Sequence, residues 1–208
     1  CFTTGKYRMI YLKHNQVENA DAILSELDTI EYLYSYYANN NQCDLKEKDQ
    51  EKYIQSVHDH VNGKFAYHFL KFPVTDESID NLPTNTKKLC EYILSKDFIQ
   101  QAGENLKINV SESRKLNITK YSKGCFLNMH SDDLQNRKIA FLFYFNNNWK
   151  PDWGGTINFI QEDDIKCINP THGSLLMFNV GNNANKHYVT QVSPMIEKSR
   201  YAIGGWLQ

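Results

Sequence analysis

One short segment of the chain combines residue types that bind metal ions. The segment Tyr121 to Asp133 contains the triplet His130-Ser131-Asp132, which is the only His-x-Asp in the sequence. On a strand, residues i and i+2 face the same side, so an imidazole and a carboxylate at this spacing converge on one ion. A triplet of this kind also arises easily by chance, and a surface histidine in a polar turn is the alternative. The rest of the sequence therefore decides between a metal site and a surface turn.

That context lies downstream, in the segment HYVTQVSPMIEKSRYAIGGW, which contains His187 and then Arg200. The pattern predicts that the two residues lie on two late strands. Two histidines and one carboxylate on one face of an octahedral ion leave three positions open, and this arrangement is typical of non-heme Fe(II) oxygenases. The open positions are what such chemistry needs, because a 2-oxo acid occupies two and dioxygen the third.

At this point the sequence resembles the prolyl-4-hydroxylase branch of the Fe(II)- and 2-oxoglutarate-dependent dioxygenases. The resemblance covers about residues 121–206, and its pieces occur in family order: Tyr121-x-x-Gly124, the His-x-Asp, Tyr144 with Trp149, the turn Trp153-Gly154-Gly155, the strand Gly173 to Phe178, then His187, Val189, Val192, Arg200 and Trp206. The resemblance implies that His130, Asp132 and His187 are the catalytic Fe(II) ligands. It further implies that Arg200 binds the distal carboxylate of 2-oxoglutarate.

The resemblance also assigns two tyrosines to the co-substrate site. Tyr144 is expected to donate its hydroxyl to the same carboxylate as Arg200, and Tyr121 is expected to lie nearby. A guanidinium suits this carboxylate because it offers a permanent charge and two parallel hydrogen bonds. The alternative for both tyrosines is ordinary aromatic core.

Other histidines compete for the role of metal ligand. The triplet His58-Asp59-His60 lies in a predicted helix, where residues i and i+2 diverge. His172 precedes a glycine in a predicted turn. We expect these three histidines to lie on the surface.

The resemblance predicts a hydroxylase of unactivated C–H bonds that uses Fe(II), O2 and 2-oxoglutarate as co-substrate, with ascorbate as a further candidate. The favoured substrate is a prolyl residue in a protein or peptide, and a free amino acid or small metabolite is the alternative. A non-catalytic β-sandwich binding module is a second alternative. Nucleic-acid demethylation is disfavoured because the Arg-x-Asn-x-Thr-x-Arg run of that branch is absent after His187.

Composition restricts the partners further. The net charge is -1, from 23 Lys+Arg against 24 Asp+Glu, so no basic field supports nucleic-acid binding. No apolar run approaches the ~20 residues of a membrane span. Five cysteines without a CxxC pair predict reduced thiols in a cytoplasm-like compartment. The oligomeric state is left open.

The elements that position these residues fall into two parts. Apolar spacing predicts helices over 17–37, 45–61 and 84–101, the last closed by Gly103, and an aromatic strand over 64–73. From about residue 107, short β-rich runs begin with KINV and continue to the end. We therefore expect an α+β, mainly β fold, a double-stranded β-helix (jelly roll) with an N-terminal helical layer.

The whole chain, residues 1–208, is expected to form one dioxygenase domain. Residues 1–106 would supply helical support and outer strands, and residues 107–208 the β-helix core. Arg200 is expected on a strand adjacent to that of His187. A polypeptide substrate would need a groove bordered by the 121–135 region and by the loops 146–153 and 181–186.

Overall fold

The computed structural model describes residues 10–134, 136–160 and 164–208. Its helices and strands, in chain order, are β1 (Ile10–Lys13), α1 (Ala20–Leu27), β2 (Leu33–Ala38), β3 (Asn41–Leu45), α2 (Gln50–Val61), β4 (Tyr67–Pro73), α3 (Thr84–Leu94), α4 (Lys96–Leu106), β5 (Ser113–Tyr121), β6 (Phe126–His130), β7 (Ile139–Tyr144), β8 (Ile157–Ile160), β9 (Ile165–Ile168), β10 (Ser174–Asn179), β11 (His187–Val189) and β12 (Arg200–Leu207). Short 3-10 helices span Ile79–Asn81, Pro151–Trp153 and Gly181–Asn183.

The strands pair antiparallel in the order β1-β10-β7-β12-β5-β4-β6-β11-β8-β9. Strand β4 connects the two halves of this sheet, because its C-terminal residues pair with β5 while Tyr67 and His68 pair with β6. On its other edge β4 carries the hairpin β2-β3. Many strands thus pair with partners distant in the sequence, such as β1 with β10 and β5 with β12, as in the double-stranded β-helix expected from the sequence.

The helical layer covers one face of the longer half of the sheet. Phe98 of α4 packs edge-on against Phe141 and is also in contact with Phe143, both on β7. Helices α1, α3 and α4 contribute further side chains to the same buried cluster. Because this face is closed by helices, the face toward the shorter half is left to form the site.

The first predicted helix is wrong over its second half. Helix α1 ends at Leu27, and residues 33–38 form strand β2. Both the backbone N–H and the hydroxyl of Thr29 bond to the carbonyl of Glu26, which ends the helix. The apolar spacing of LYSYYA fits a helix as well as a strand, but pairing with β4 satisfies its backbone as a strand.

The other predicted helices and strands differ less from those in the structure. The predicted helix 84–101 is two helices, since Ser95 has an extended backbone and its hydroxyl accepts a hydrogen bond from the N–H of Phe98 as the cap of α4. Gly103 lies inside α4 rather than closing it, and glycine is required there because a Cβ would come within 2.8 Å of the carbonyl oxygen of Ile108. Helix α2 begins at Gln50 rather than at residue 45, and KINV forms no strand.

Two negative findings apply to the described part of the chain. None of its helices is both long and apolar enough to cross a membrane. Cys43, Cys90, Cys125 and Cys167 form no disulfide.

The carboxylate of Glu26, at the end of α1, binds the N-terminus of α3. It accepts hydrogen bonds from the backbone N–H and side-chain amide of Asn85 at 3.0 and 2.7 Å, and from the backbone N–H and hydroxyl of Thr86 at 2.7 Å each. Partial burial raises the pKa of Glu26, but these hydrogen bonds outweigh burial and hold the pKa below its ordinary value. The carboxylate thus serves as a cap from another helix.

Replacement of Glu26 by alanine should therefore lower the free energy of unfolding by about 1 to 2 kcal/mol at pH 7. A group with a lowered folded-state pKa stabilises the protein above its unfolded-state pKa, and this contribution is lost as the pH falls through the folded-state pKa. Urea unfolding of both proteins at pH 7 and pH 3.5 measures the effect. An undiminished difference at pH 3.5 would show that the charge of Glu26 is not the cause.

Candidate metal and carboxylate site

Two histidines meet where β6 and β11 pair. His130 ends β6 and lies directly opposite His187, the first residue of β11, with ring centroids 4.3 Å apart. Asp132 follows two residues after His130, beyond the end of the strand. One carboxylate oxygen of Asp132 lies 3.4 Å from Nε2 of His130, and the other lies 3.5 Å from Nε2 of His187.

The three side chains form one compact donor set. One ligand atom from each lies within 4.8 Å of the other two, and this is the only such group of three found among the described residues. Two imidazole nitrogens and a carboxylate oxygen suit a first-row divalent metal such as Fe(II). The set therefore fits the ion that the sequence predicted, although the ligand role itself stays a prediction.

Backbone carbonyls orient both imidazoles. Nδ1 of His130 lies 2.9 Å from the carbonyl oxygen of Asn128, and Nδ1 of His187 lies 2.9 Å from that of Asn185. A carbonyl only accepts, so each Nδ1 donates and carries the proton. Each Nε2 consequently points toward Asp132 and is the nitrogen that would bind a metal ion.

The charges of the cluster depend on one another. Burial raises the pKa of Asp132, but the hydrogen bond and charge of His130 outweigh burial and lower the pKa to about 2. Burial lowers the pKa of His187, and with the charge of His130 it brings the pKa to about 4. Near neutral pH the cluster thus presents an anionic carboxylate and a neutral His187, ready for a cation.

Arg200, the first residue of β12, forms the second part of the site. It is 2% exposed, and its guanidinium lies between two aromatic rings, 4.8 Å from the centroid of Tyr121 and 5.0 Å from that of Tyr144. Nε of Arg200 and the hydroxyl of Tyr144 are buried and have no hydrogen-bond partner. Buried donors without partners are costly, so a ligand carboxylate fits this place.

Both tyrosines keep their protons at neutral pH. Burial raises the pKa of Tyr121 and of Tyr144, more than offsetting the positive charge of Arg200. Each phenol is therefore a hydrogen-bond donor rather than an anion. Tyr144 is the better placed for a ligand, since its hydroxyl is buried and unpaired.

The turn before β8 packs against Arg200. Gly154 and Gly155 have positive φ of 73° and 67°, as expected for the sequence Trp153-Gly154-Gly155. A Cβ on Gly155 would lie 2.9 Å from Cδ of Arg200 and 3.2 Å from a methyl of Val192. The glycine thus leaves room for the arginine side chain.

A buried aromatic pair connects the two parts of the site. The ring of His187 lies 5.6 Å from that of Phe159 and 4.9 Å from that of Phe178. Both phenylalanines belong to the same buried cluster as Tyr144, which contacts Arg200. The expectation that Arg200 lies on a strand adjacent to that of His187 is wrong. Strand β12 pairs with β5 and β7, whereas β11 pairs with β6 and β8.

The competing histidines lie outside this site. His58 and His60 are exposed on α2, as predicted, whereas Asp59 between them is 1% exposed. Its carboxylate accepts hydrogen bonds from the backbone N–H of Asn39 and the side chain of Gln55. It therefore holds the β2-β3 turn against α2.

His172 was also expected on the surface and is instead half-buried. Its Nε2 lies 3.1 Å from a carboxylate oxygen of Asp21 on the helical side of the molecule. This contact accounts for the side chain without a metal ion.

Sequence reasoning missed Arg137 beside the metal cluster. Its side chain is 9% exposed, its guanidinium lies 3.8 Å from the ring centroid of Trp206, and Nη1 lies 3.9 Å from a carboxylate oxygen of Asp132. No local pattern signals this residue, because only the pairing of β7 with β12 brings Trp206 opposite Ala140, close to it.

A row of aromatic residues at the site was also missed. Phe69 on β4 stacks on Tyr121 with ring centroids 5.0 Å apart. Phe65, just before β4, lies 5.9 Å from the ring of His130. The alternation Phe65, Tyr67, Phe69 in the predicted strand was the available signal, since alternate residues share a face.

The geometry agrees with the similarity of the chain to known proteins. Residues 116–208 match the model of the 2OG-Fe(II) oxygenase superfamily. The prolyl 3-hydroxylase OGFOD1 of Mus musculus is 28% identical over 121 residues, which are 55% of this chain and 22% of that protein. The chain thus spans less than a quarter of this relative.

Solved structures show the same fold. A Pseudomonas putida prolyl-4-hydroxylase superposes with a TM-score of 0.54 at 16% identity, covering 91% of this chain and 98% of that one. A Trichoplax adhaerens prolyl hydroxylase, in complex with a peptide fragment of the hypoxia inducible factor oxygen degradation domain, gives 0.54 at 18% identity, covering 90% and 88%. Similarity at these identities establishes the β-helix architecture.

Proposed function

We propose that the protein is a dioxygenase of the 2OG-Fe(II) oxygenase superfamily, whose model residues 116–208 match, and that it hydroxylates a prolyl residue in a protein or peptide. The family implies Fe(II), O2 and 2-oxoglutarate. Ascorbate, which keeps such iron reduced, is proposed as an accessory. The prolyl substrate is suggested by the relatives named prolyl hydroxylases.

One observation carries the proposal. A compact His-Asp-His donor set and a buried guanidinium with an unpaired Nε lie on either side of one aromatic cluster. A 2-oxo acid with a second carboxylate has matching groups at its two ends, because its 2-oxo acid end chelates a metal and its distal carboxylate pairs with an arginine. A non-catalytic module would have no use for both.

Each group of the chain then has a defined task. His130, Asp132 and His187 would hold Fe(II), with their orientation maintained by the carbonyls of Asn128 and Asn185. The other groups would act on the co-substrate: Arg200 and Tyr144 would hold the distal carboxylate, and Tyr121 would close the space beside it. The buried aromatic lining excludes water from the reacting atoms.

The bound groups supply the oxidation itself: one atom of O2 enters a substrate C–H bond as hydroxyl and the other enters succinate, while 2-oxoglutarate loses CO2. The protein contributes the positions of the reacting groups. It holds the target carbon beside the metal and keeps the co-substrate in one orientation.

Mass spectrometry tests the proposed function. The iron-loaded protein is incubated with 2-oxoglutarate, ascorbate and a library of proline-containing peptides, and products are searched for a gain of one oxygen together with formation of succinate. Modified prolyl peptides are expected. No product from any peptide, with succinate formed only alongside a hydroxylated free amino acid, would overturn the prolyl-peptide assignment.

Arg137 favours a second candidate, a hydroxylase of a free amino acid. Its buried guanidinium beside Asp132 offers a place for a second carboxylate. A free amino acid would also need an acidic partner for its ammonium group. Adding the free amino acids to the same assay separates the two candidates.

A substitution in the glycine turn tests the carboxylate site indirectly. Replacement of Gly155 by alanine should weaken 2-oxoglutarate binding by about tenfold, because the methyl group displaces Arg200 and the positive φ is strained for alanine. Calorimetric titration of 2-oxoglutarate into the manganese-loaded protein measures the change. Gly63→Ala is the control, since it has a similar φ of 71° and no atom within 4 Å of the added Cβ. Equal affinities of the two variants would contradict the proposed packing.

A further inference from the structure

Three aromatic side chains beside the metal cluster form a surface that is only partly covered by the residues the structure describes. Tyr37 on β2, Tyr67 on β4 and Phe65 before β4 contact one another, with ring centroids 5.0 Å apart for Tyr37 and Phe65, 5.6 Å for Tyr37 and Tyr67, and 6.0 Å for Phe65 and Tyr67. We call these three residues the aromatic platform. Phe65 is 38% exposed, whereas the two tyrosines are half-buried.

Strand pairing places the platform on the side of the site. Tyr37 and Tyr67 are direct partners across the β2-β4 pair, and partners in an antiparallel pair face the same side. Tyr67 is in turn the partner of Leu127 on β6, which packs in the cluster around Tyr121. The platform therefore continues, along the sheet, the row of side chains that begins at this cluster.

Phe65 joins the platform to the metal cluster. Its ring centroid lies 5.9 Å from that of His130, and the imidazole of His130 is itself 17% exposed. A group resting on Phe65 is thus adjacent to the proposed metal ligands. No other exposed phenylalanine occurs in the described part of the chain.

The polar end of the same sheet face offers less to a partner. Asp44 already accepts a hydrogen bond from the hydroxyl of Ser35 at 2.7 Å and pairs with the ammonium of Lys71 at 2.8 Å. These groups satisfy each other. The rings of the platform are what this face leaves for contact.

We propose that the aromatic platform binds the proline-containing segment of the polypeptide substrate, with Phe65 as the residue that selects prolyl over other side chains; this inference rests on the proposed function. A polyproline II segment has no internal hydrogen bonds and loses little entropy on binding. Such segments dock in grooves lined by aromatic rings, where prolyl rings pack on the ring faces. The exposed ring of Phe65 and the half-buried rings of Tyr37 and Tyr67 meet this requirement.

The binding experiment uses the manganese- and 2-oxoglutarate-loaded protein without oxygen, and two probes, a decaproline peptide and a glycine-serine decapeptide. Titration calorimetry should show binding of decaproline and none of the glycine-serine peptide. Phe65→Ala should weaken decaproline binding by at least about tenfold, as expected for an aromatic hot spot, while Phe65→Tyr keeps it. Affinity for 2-oxoglutarate, measured in parallel, should be the same in all variants.

Tyr92→Ala is the matched control, because Tyr92 is 42% exposed on α3 and contacts Phe98 in the helical layer rather than the site. It should bind decaproline as the unmodified protein does. If the unmodified protein fails to bind decaproline, or if Phe65→Ala binds it as tightly, the inference is overturned.

Two further readouts separate this inference from its premise. Peptide hydroxylation by the unmodified protein tests the proposed function alone. If Phe65→Ala hydroxylates peptides as well as the unmodified protein does, the proposed function is retained but the substrate-binding role of the platform is refuted. Sedimentation of the unmodified protein and of Phe65→Ala tests whether a second copy of the chain binds to the platform. A dimer that dissociates in Phe65→Ala would assign the platform to a second copy of the chain and overturn the substrate assignment.

Discussion

Replacement of His187 by alanine is expected to lower the affinity for Mn(II) by at least about 100-fold and to abolish turnover of 2-oxoglutarate. Even groups that only orient metal ligands cost 10 to 100-fold when removed, so loss of a ligand should cost at least as much. His187 is 4% exposed and enclosed by Phe159 and Phe178, so water cannot easily replace its nitrogen. Titration calorimetry under nitrogen measures the affinity.

Two other variants make this test specific. His58→Ala removes an imidazole that is 61% exposed on α2 and should leave Mn(II) binding unchanged. Asp132→Asn keeps the size of the side chain but removes the negative charge, and it should weaken binding to a similar degree as His187→Ala. Retention of Mn(II) affinity in His187→Ala would exclude this residue from the metal site.

Replacement of Arg200 by methionine is expected to weaken 2-oxoglutarate binding by about 10- to 150-fold, which corresponds to the loss of about 1.5 to 3 kcal/mol from charged hydrogen bonds. Tyr144→Phe removes one neutral donor and should cost only about 2- to 10-fold. Calorimetric titration of 2-oxoglutarate into the manganese-loaded variants gives both values. Unchanged affinity in Arg200→Met would place the carboxylate elsewhere.

Although Arg200→Met should weaken 2-oxoglutarate binding, it should not lower the thermal stability of the ligand-free protein. Arg200 is 2% exposed, and no carboxylate among the described residues forms an ion pair with it. A buried charge without an ion pair destabilises the folded state. The Tm of Arg200→Met without ligand should therefore be equal to or higher than that of the unmodified protein, while the rise in Tm caused by 2-oxoglutarate is lost. A lower Tm would mean that Arg200 has a structural partner.

Much of the candidate site was predictable because most of its residues lie in regular strands or directly after one. His130 was predicted to share a site with Asp132 from a spacing of two residues, and with His187 and Arg200 from their order in a family resemblance. The β-rich C-terminal half and the helical N-terminal layer followed from alternating and helical apolar spacing. These are local properties, and short-range sterics decide them.

The tertiary structure decided what local spacing left ambiguous. Residues 33–38 have apolar spacing compatible with a helix, and they become strand β2 because β4 offers hydrogen-bond partners. Ser95 divides a continuous helical pattern because its hydroxyl caps a new helix. In both places a specific partner for the backbone outweighed intrinsic propensity, which differs by only about 1 kcal/mol per residue between conformations.

Side chains that belong to none of the predicted motifs also surround the site. Arg137 beside Asp132 and the platform residue Tyr37 beside Phe65 carry no sequence signal of their own. Their positions follow from the pairing of β7 with β12 and of β2 with β4. The sequence by itself therefore determined which chemistry the chain can support, since this depends on residue types at short spacing. Which side chains surround that chemistry depends on strand order, and only the folded chain decides it because the pairing partners are separated by tens of residues.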